Sequence, residues 1–255
     1  MNKNNLKTGI YQVIPLVLFL VFWEVFVRLN EKLFFFFGLP SKIIGYLLSK
    51  ILDGSLFVDF GITFSEAFVG FLLGNLVGSL IGLGLWYSKT AFQISRPYII
   101  ALGSSPIIAL APLLIIWFGT GWWSKVFVAA ISTVFVALSQ AYIGALEVKQ
   151  SHLKMMQTFG ATKHQIFAKI IVPSAVVWVI SAFRMNVGFA LLGAFIGEYI
   201  SSNSGLGHLI LVASGLFDIS LVLCGVFLLI CSAFILNWLV SKAEYYLRHY
   251  LIKYL

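Results

Sequence analysis

The sequence predicts an all-α, polytopic membrane protein: one transmembrane domain over residues 1–255, with six helices crossing the bilayer. Three observations carry this. Hydrophobic residues make up 60% of the chain and charged residues 10%, with a mean hydropathy of +1.00, outside the range of water-soluble domains. Six apolar runs, 10–27, 67–87, 98–118, 126–146, 173–199 and 221–240, approach the ~20 residues that a bilayer crossing needs. Basic residues then sort between alternate loops.

That sorting sets the orientation. With the N-terminus cytoplasmic, the inner side holds Lys3, Lys7, Lys89, Arg96, Lys149, Lys154, Lys163, Lys169, Lys242, Arg248 and Lys253, and the outer side holds Arg28, Lys32, Lys42, Lys50 and Lys125. Glu31, Asp53, Asp59 and Asp218 offset most of the outer charge, and Trp117, Trp122 and Trp123 flank an outer turn as interface anchors. Both termini are therefore expected inside. The net charge of +8 marks a face against anionic lipid, not a nucleic-acid site.

Lys3 and Lys7 ahead of the first run also fit a signal peptide, but no small-residue cleavage site follows, so a retained helix is expected. Residues 40–52 form an amphipathic segment, with Ile43, Ile44, Leu47, Leu48, Ile51 and Leu52 opposed by Lys42, Ser49 and Lys50; it is too short to span and should lie at the outer interface. The second span carries Gly70, Gly74, Gly78 and Gly82, one glycine every four residues. Such a face brings two backbones close in lipid, either as static packing or as a surface that slides during gating. Residues 84–90, GLWYSKT, narrowly miss a phosphate loop: Ser88 stands where glycine should precede Lys89 and no strand comes before it, so no ATP site is read here.

The third span contains Gly103, Ser104, Ser105, Pro106 and Pro112. Each proline frees a carbonyl that lipid cannot satisfy, so this helix should face the bundle interior, with Pro106 on a translocation pathway or in a kinked packing contact. In the fifth span Arg184 is 11 residues past Pro173, about 16 Å into a core about 30 Å thick. Glu198 returns to nearly the same face near the outer end, with Gly188 between them. This makes Arg184, Gly188 and Glu198 a candidate pathway with a cationic midpoint and an acidic outer mouth; the alternative is that Arg184 caps carbonyls of a neighbouring helix. Next comes a polar turn, SSNSGLGH at 201–208, and a short apolar stretch, 209–216, read as an outer gate or a partner surface.

The remaining chemistry is sparse. The four histidines, His152, His164, His208 and His249, lack ligand spacing, so no metal or cofactor is expected. Cys224 and Cys231 lie a heptad apart on one helix, too far for a disulfide. No catalytic constellation converges on one side of the membrane.

The most distinctive stretch is KMMQTFGATKHQIFAKIIVP, Lys154 to Pro173, a basic amphipathic elbow between two apolar runs. From Glu147, residues Val148, Met155, Met156 and Phe159 fall near one helical face. Gly160 supplies the positive φ that ends a helix, Thr162 and Gln165 form a capping box that starts the next, and Pro173 suits the first turn of the following span.

This elbow resembles the cytoplasmic EAA loop of ABC-importer permeases: EAA, three residues, glycine, nine residues, isoleucine, one residue, leucine and proline. Gly160, Ile170 and Pro173 match in register and Val172 replaces the leucine, while Lys154, Met155 and Met156 occupy the EAA triplet. LPSKII, TFSEAFVGFLLG, SSPIIALAPLLIIWFGTG, AFRMNVGF and GEYISSNSGLGHLI are similar to the sulfonate, taurine, nitrate and bicarbonate branch of binding-protein-dependent permeases, which thiamine-precursor and riboflavin importers share.

The resemblance implies a type I importer fold and a permease subunit of a bacterial inner-membrane transporter. It implies a second permease subunit, expected as a homodimer, cytoplasmic ATP-binding subunits and an extracytoplasmic substrate-binding protein. The chain itself is then no enzyme, since ATP hydrolysis belongs to a separate subunit. The loop 147–172 is the coupling segment, with Lys154, Met155, Met156, Phe159, Gly160 and Ala161 on the ATPase. Arg184 favours a small anion such as a sulfonate or nitrate; a vitamin or vitamin precursor is the alternative solute. A secondary transporter is the remoter alternative, but no inverted repeat is visible.

Overall fold

The computed structural model describes residues 3–254, with side chains described for 14–30 and 32–246. Lys3, Lys7, Arg248, Lys253 and the side chain of Glu31, which entered the charge argument, lie outside those limits. Every regular element is helical. α1 (Lys3–Arg28), α2 (Glu31–Phe37) and α3 (Pro40–Leu52) lead into the long α4 (Ser55–Leu85). α5 (Lys89–Gly103), α6 (Ile107–Phe118), α7 (Trp122–Leu146), α8 (Gln150–Thr158) and α9 (Lys163–Ile166) follow. A π-helical turn at Phe167–Ile171 then leads into α10 (Val172–Ile200), α11 (Leu206–Gly215) and α12 (Ile219–Tyr254).

Among the described residues four helices are long and apolar enough to cross a membrane: Ser55–Leu85, Trp122–Leu146, Lys163–Ile200 and Ile219–Tyr246. α5 and α6 form a fifth span broken by a 96° bend, and α1, 26 residues long, covers the expected first span. The predicted all-α fold thus holds, and the four spans with the broken pair and α1 are consistent with the expected six, with two adjustments. The third span is sharply broken at Ser104–Pro106 rather than merely kinked, because Pro106 cannot donate to the helix behind it. The second span begins at Ser55, not near 67, because Asp59, Thr63 and Glu66 find tertiary partners and do not interrupt the helix.

The core is a three-helix bundle in which α4, α7 and α10 each pack on the other two, α7 most extensively. Ala67, Ala129, Val187, Ala190, Leu191 and Ala194 fill it with small and aliphatic side chains around the Phe71 ring, joined by Leu236 and Val240 of α12. The glycine stripe of α4 lies against α7. A Cβ at Gly70 would strike Ala129 and Val126, at Gly74 Thr133 and Ala130, at Gly78 Val134 and Ala137, and at Gly82 Leu138 and Ala141. Midway along the bundle a buried amide chain crosses it. Asn186 Nδ2 donates to Asn75 Oδ1 at 2.7 Å and to the Thr133 carbonyl at 3.1 Å, and Asn75 Nδ2 donates to the Phe71 carbonyl at 2.7 Å. Hydrogen bonds of this kind fasten helices where lipid competes for apolar contact.

α3 packs Ile43, Tyr46 and Leu47 against α11 and α12, whereas Ile44, Leu48, Ile51 and Leu52 stay exposed. The expected apolar stripe therefore splits between protein and the outside. Cys224 and Cys231 are free thiols.

Candidate functional site: an elbow, a neutral cleft and a latched outer helix

The elbow is built by local rules. α8 ends in a Schellman closure, the amide of Ala161 donating to Met156 O at 3.0 Å and that of Gly160 to Gln157 O at 2.9 Å, with Gly160 at φ +73°. Thr162 and Gln165 cap α9 reciprocally. The π-turn then opens the helix where the Pro173 ring would press on the carbonyl one turn back: the Val172 amide bonds Phe167 O, five residues away.

The expected apolar face of the first elbow helix needs correction. Val148 precedes α8, and inside the helix Leu153 and Met156 turn inward with Val148, Ala161, Ile166 and Ile171. Met155, 52% exposed, and Phe159, 79% exposed, point away with Lys154. The elbow thus grips the bundle with one face and presents an apolar pair on the other. Its grip is on the end of α4: Phe167 stacks at 4.6 Å on Tyr87 and 5.6 Å on Trp86, and Lys163 Nζ donates to the Tyr87 carbonyl at 2.5 Å.

A cleft runs along α7 between α10 and the broken α5–α6 pair. One section, about 350 Å³, is bounded by Ser105, Pro106, Ser132, Phe135 and Phe189; the next, about 400 Å³, by Gly103, Ser104, Ser139, Gln140 and Met185. Among the described residues no charged side chain lines either section. The cleft continues toward the elbow end of the bundle past Ser139 and Tyr142 to Arg96. Pro106 is in the wall, and Gly188 is on the same open stripe of α10 as Met185 and Leu192, with nothing near its Cβ position.

Arg184 and Glu198 do not join this cleft. Arg184 turns toward α12 and pairs with Glu244, Nη2 at 2.5 Å and Nε at 2.6 Å from Oε2, in a separate shallow depression with Ser241 and Tyr245. It caps no carbonyl of the broken helix, and its charge is met by a carboxylate that the sequence reading did not single out.

Glu198 is fully buried instead of forming an outer mouth. Thr63 donates to its Oε1 at 2.6 Å and the Gly207 amide to its Oε2 at 2.6 Å. The neighbouring amides of α11 are held likewise, Leu206 by Thr63 Oγ1 at 2.8 Å and Gly205 by Asp59 Oδ1 at 2.9 Å. Gly205, at φ +99°, and Gly207 leave the space that the Glu198 carboxylate fills. Lys125, counted among the outer-side charges, is buried beside this cluster, its ammonium donating to the carbonyls of Thr120 and Gly121. The expected outer gate is thus a helix latched onto α4 and α10.

Residues 70–244 match the family described as binding-protein-dependent transport system inner membrane component. The chain is 31% identical over 203 residues to the formylaminopyrimidine transport permease protein of Halalkalibacterium halodurans, covering 78% of this chain and 80% of that one. It is 30% identical to the riboflavin transport system permease protein of Chloroflexus aurantiacus, covering 82% and 78%. It is 25% identical to the taurine transport system permease protein of Escherichia coli, covering 87% and 82%. Its fold is that of a subunit in an inward-facing structure of the MetNI methionine ABC transporter, TM-score 0.63 at 16% identity, covering 71% of this chain and 91% of that one.

Proposed function

We propose, from the premise that this chain belongs to the binding-protein-dependent transport system inner membrane component family, that it is the importer permease through which a small, uncharged polar solute of the vitamin-precursor class passes. A multi-pass membrane subunit of an ABC importer is a transport component and not an enzyme.

The observation that carries the solute class is the charge-free lining of the two cleft sections that meet at Phe135, together with the diversion of Arg184 to Glu244. An anion crossing a low-dielectric section with no cation facing it loses its hydration without return. Hydroxyls, an amide and aromatic rings suit a neutral heterocycle. The likeness to permeases named for formylaminopyrimidine and riboflavin supports this. The sulfonate-type anion is the second reading, favoured by the likeness to the taurine permease and by Arg96 at the elbow end of the cleft.

In the assembly we infer, the elbow end is cytoplasmic, as are both termini, and Met155 and Phe159 enter a cleft on an ATP-binding subunit. Lys154 and Met156 flank them, with Gly160 and Ala161 setting the turn. A second copy closes the open face of α7 and α10, and a substrate-binding protein docks at the α11 end. Two measurements test this. Pull-down of the ATP-binding subunit should be lost on Phe159→Asp, a change at an exposed side chain that leaves the fold alone; retention removes the docking role. Uptake of formylaminopyrimidine, riboflavin and taurine by the assembled transporter decides the solute: taurine alone would establish the second reading.

A further inference from the structure

We propose that Gln140, with Ser139 and Phe135 on α7, forms a solute-contact site inside the cleft, which takes a planar, uncharged heteroaromatic ring bearing an N–H donor. The inference rests on the neutral-solute reading above and names the groups that would enforce it.

Gln140 is the one amide in the cleft wall. Its Nε2 reaches only the soft sulfur of Met185, at 3.8 Å across to α10, and its Oε1 is shielded from solvent yet meets no donor among the described residues. A buried carbonyl without a donor is destabilising, so it persists where something else supplies the donor. Two neighbours bear on what that is. Phe135 is half-buried at the junction of the two cavity sections, which share Gly103, Phe135 and Val136. A Cβ at Gly103 would come within 3.2 Å of Phe135 Cβ, so the glycine of the broken helix is what lets that backbone approach the ring closely. Ser139 supplies a hydroxyl that can donate or accept, and Met185 a thioether that adapts to ring shape.

The section around Gln140, about 400 Å³, is in the range of small-ligand sites. A flat ring against Phe135 that turns the Gln140 amide about its last torsion, so that Oε1 faces the cleft, can give that oxygen an exocyclic N–H and relieve the orphan acceptor. A sulfonate there would find only the neutral donors of Gln140 Nε2 and Ser139, and no cation to replace its hydration. The site is placed to discriminate in transit, after release from the binding protein.

The test uses the complete transporter in proteoliposomes with its binding protein at saturation. Uptake of formylaminopyrimidine, riboflavin and taurine is measured beside ATP hydrolysis stimulated by the loaded binding protein. Gln140→Leu should lower the maximal uptake of the heteroaromatic by roughly five- to tenfold, the weight of one neutral hydrogen bond, with stimulated ATP hydrolysis retained. Gln140→Asn should restore part of it, and Phe135→Ala should lower it while Phe135→Trp does not. Unchanged uptake in Gln140→Leu overturns the site while leaving the neutral-solute reading intact. A wild-type transporter that carries taurine and neither heterocycle overturns both. Equal loss of uptake and ATP hydrolysis in all four variants assigns these residues to folding and also overturns the site.

Discussion

The ammonium of Lys163 in α9 donates to the main-chain carbonyl of Tyr87, just past α4, at 2.5 Å, and lies within 6 Å of both the Trp86 and Tyr87 rings. His164 adds a contact to the Tyr87 hydroxyl at 3.3 Å. The elbow is therefore clasped to the helix that carries the glycine stripe, and in the proposed docking a force applied at Phe159 would reach α4 through Lys163 and Phe167. Lys163→Ala should lower the solute moved per ATP hydrolysed by a factor on the order of three to ten, since a hydrogen bond from a charged donor and two cation–π contacts are lost at a partly exposed site. Lys163→Arg should keep most of it. An unchanged transport-to-hydrolysis ratio in Lys163→Ala would remove the clasp from the coupling route.

The glycine stripe yields a graded prediction. At Gly74 a methyl group would collide with Thr133 Oγ1 and the Ala130 carbonyl, and at Gly78 with the Val134 carbonyl. Backbone atoms cannot swing aside as a side-chain tip does, so Gly74→Ala and Gly78→Ala should each destabilise the protein by about 1–3 kcal/mol. Gly84, on the same helix, has nothing within 4 Å of its Cβ position. Gly84→Ala should be neutral or stabilising by up to about 1 kcal/mol through helix propensity. Thermal unfolding in detergent separates the two classes; equal behaviour would show that α4 stands off α7 in the native protein.

What the sequence makes legible follows the range of the interaction. Gly160, Thr162 and Gln165 are readable because a left-handed turn and a capping box are written within six residues. The glycine stripe is readable because its period is helical, although nothing in it names α7 as the partner. The burial of Glu198 is hidden because the groups that hydrogen-bond its carboxylate, Thr63 and Gly207, belong to other helices. The partner of Arg184 is hidden for the same reason, as Glu244 is 60 residues away. The start of α4 is missed because a hydropathy window sees Asp59, Thr63 and Glu66 as polar, whereas the fold supplies their partners. Gln140 carries no signal at all: a single amide in an apolar run declares itself only when the wall opposite it is known.

Three successive amides of α11 are tied to α4 and α10 through Asp59, Thr63 and Glu198. Glu198→Ala would orphan the Gly207 amide and open a void between Gly205 and Gly207, so a loss of about 2–4 kcal/mol is expected from the unpaired donor and the cavity together. Glu198→Gln should do less damage, because an amide oxygen can still accept from Thr63 or Gly207. The local effect is read from labelling of a cysteine introduced at Leu209, now buried, which should react faster in Glu198→Ala than in the parent. Labelling that stays equally slow would mean that α11 is held by Leu206, Leu209 and their apolar neighbours alone.

The Arg184–Glu244 pair decides between a structural and a conducting role for the cation. Its carboxylate side is 6% exposed and its guanidinium side 60%, so solvent screens much of the attraction and the pair contributes about 1 kcal/mol or less. If Arg184 serves to join α10 to α12, then Arg184→Gln combined with Glu244→Gln, which exchanges the ion pair for neutral amides, should preserve uptake and leave the order of preference among formylaminopyrimidine, riboflavin and taurine unchanged. If the cation instead meets the solute, removing it should selectively abolish any anion uptake while Glu244→Gln alone, which unmasks the positive charge, enhances it. The contrast between the double variant and Glu244→Gln is informative because a merely unstable protein loses all three solutes together. A selective change in taurine uptake would return Arg184 to the pathway and revive the anion reading.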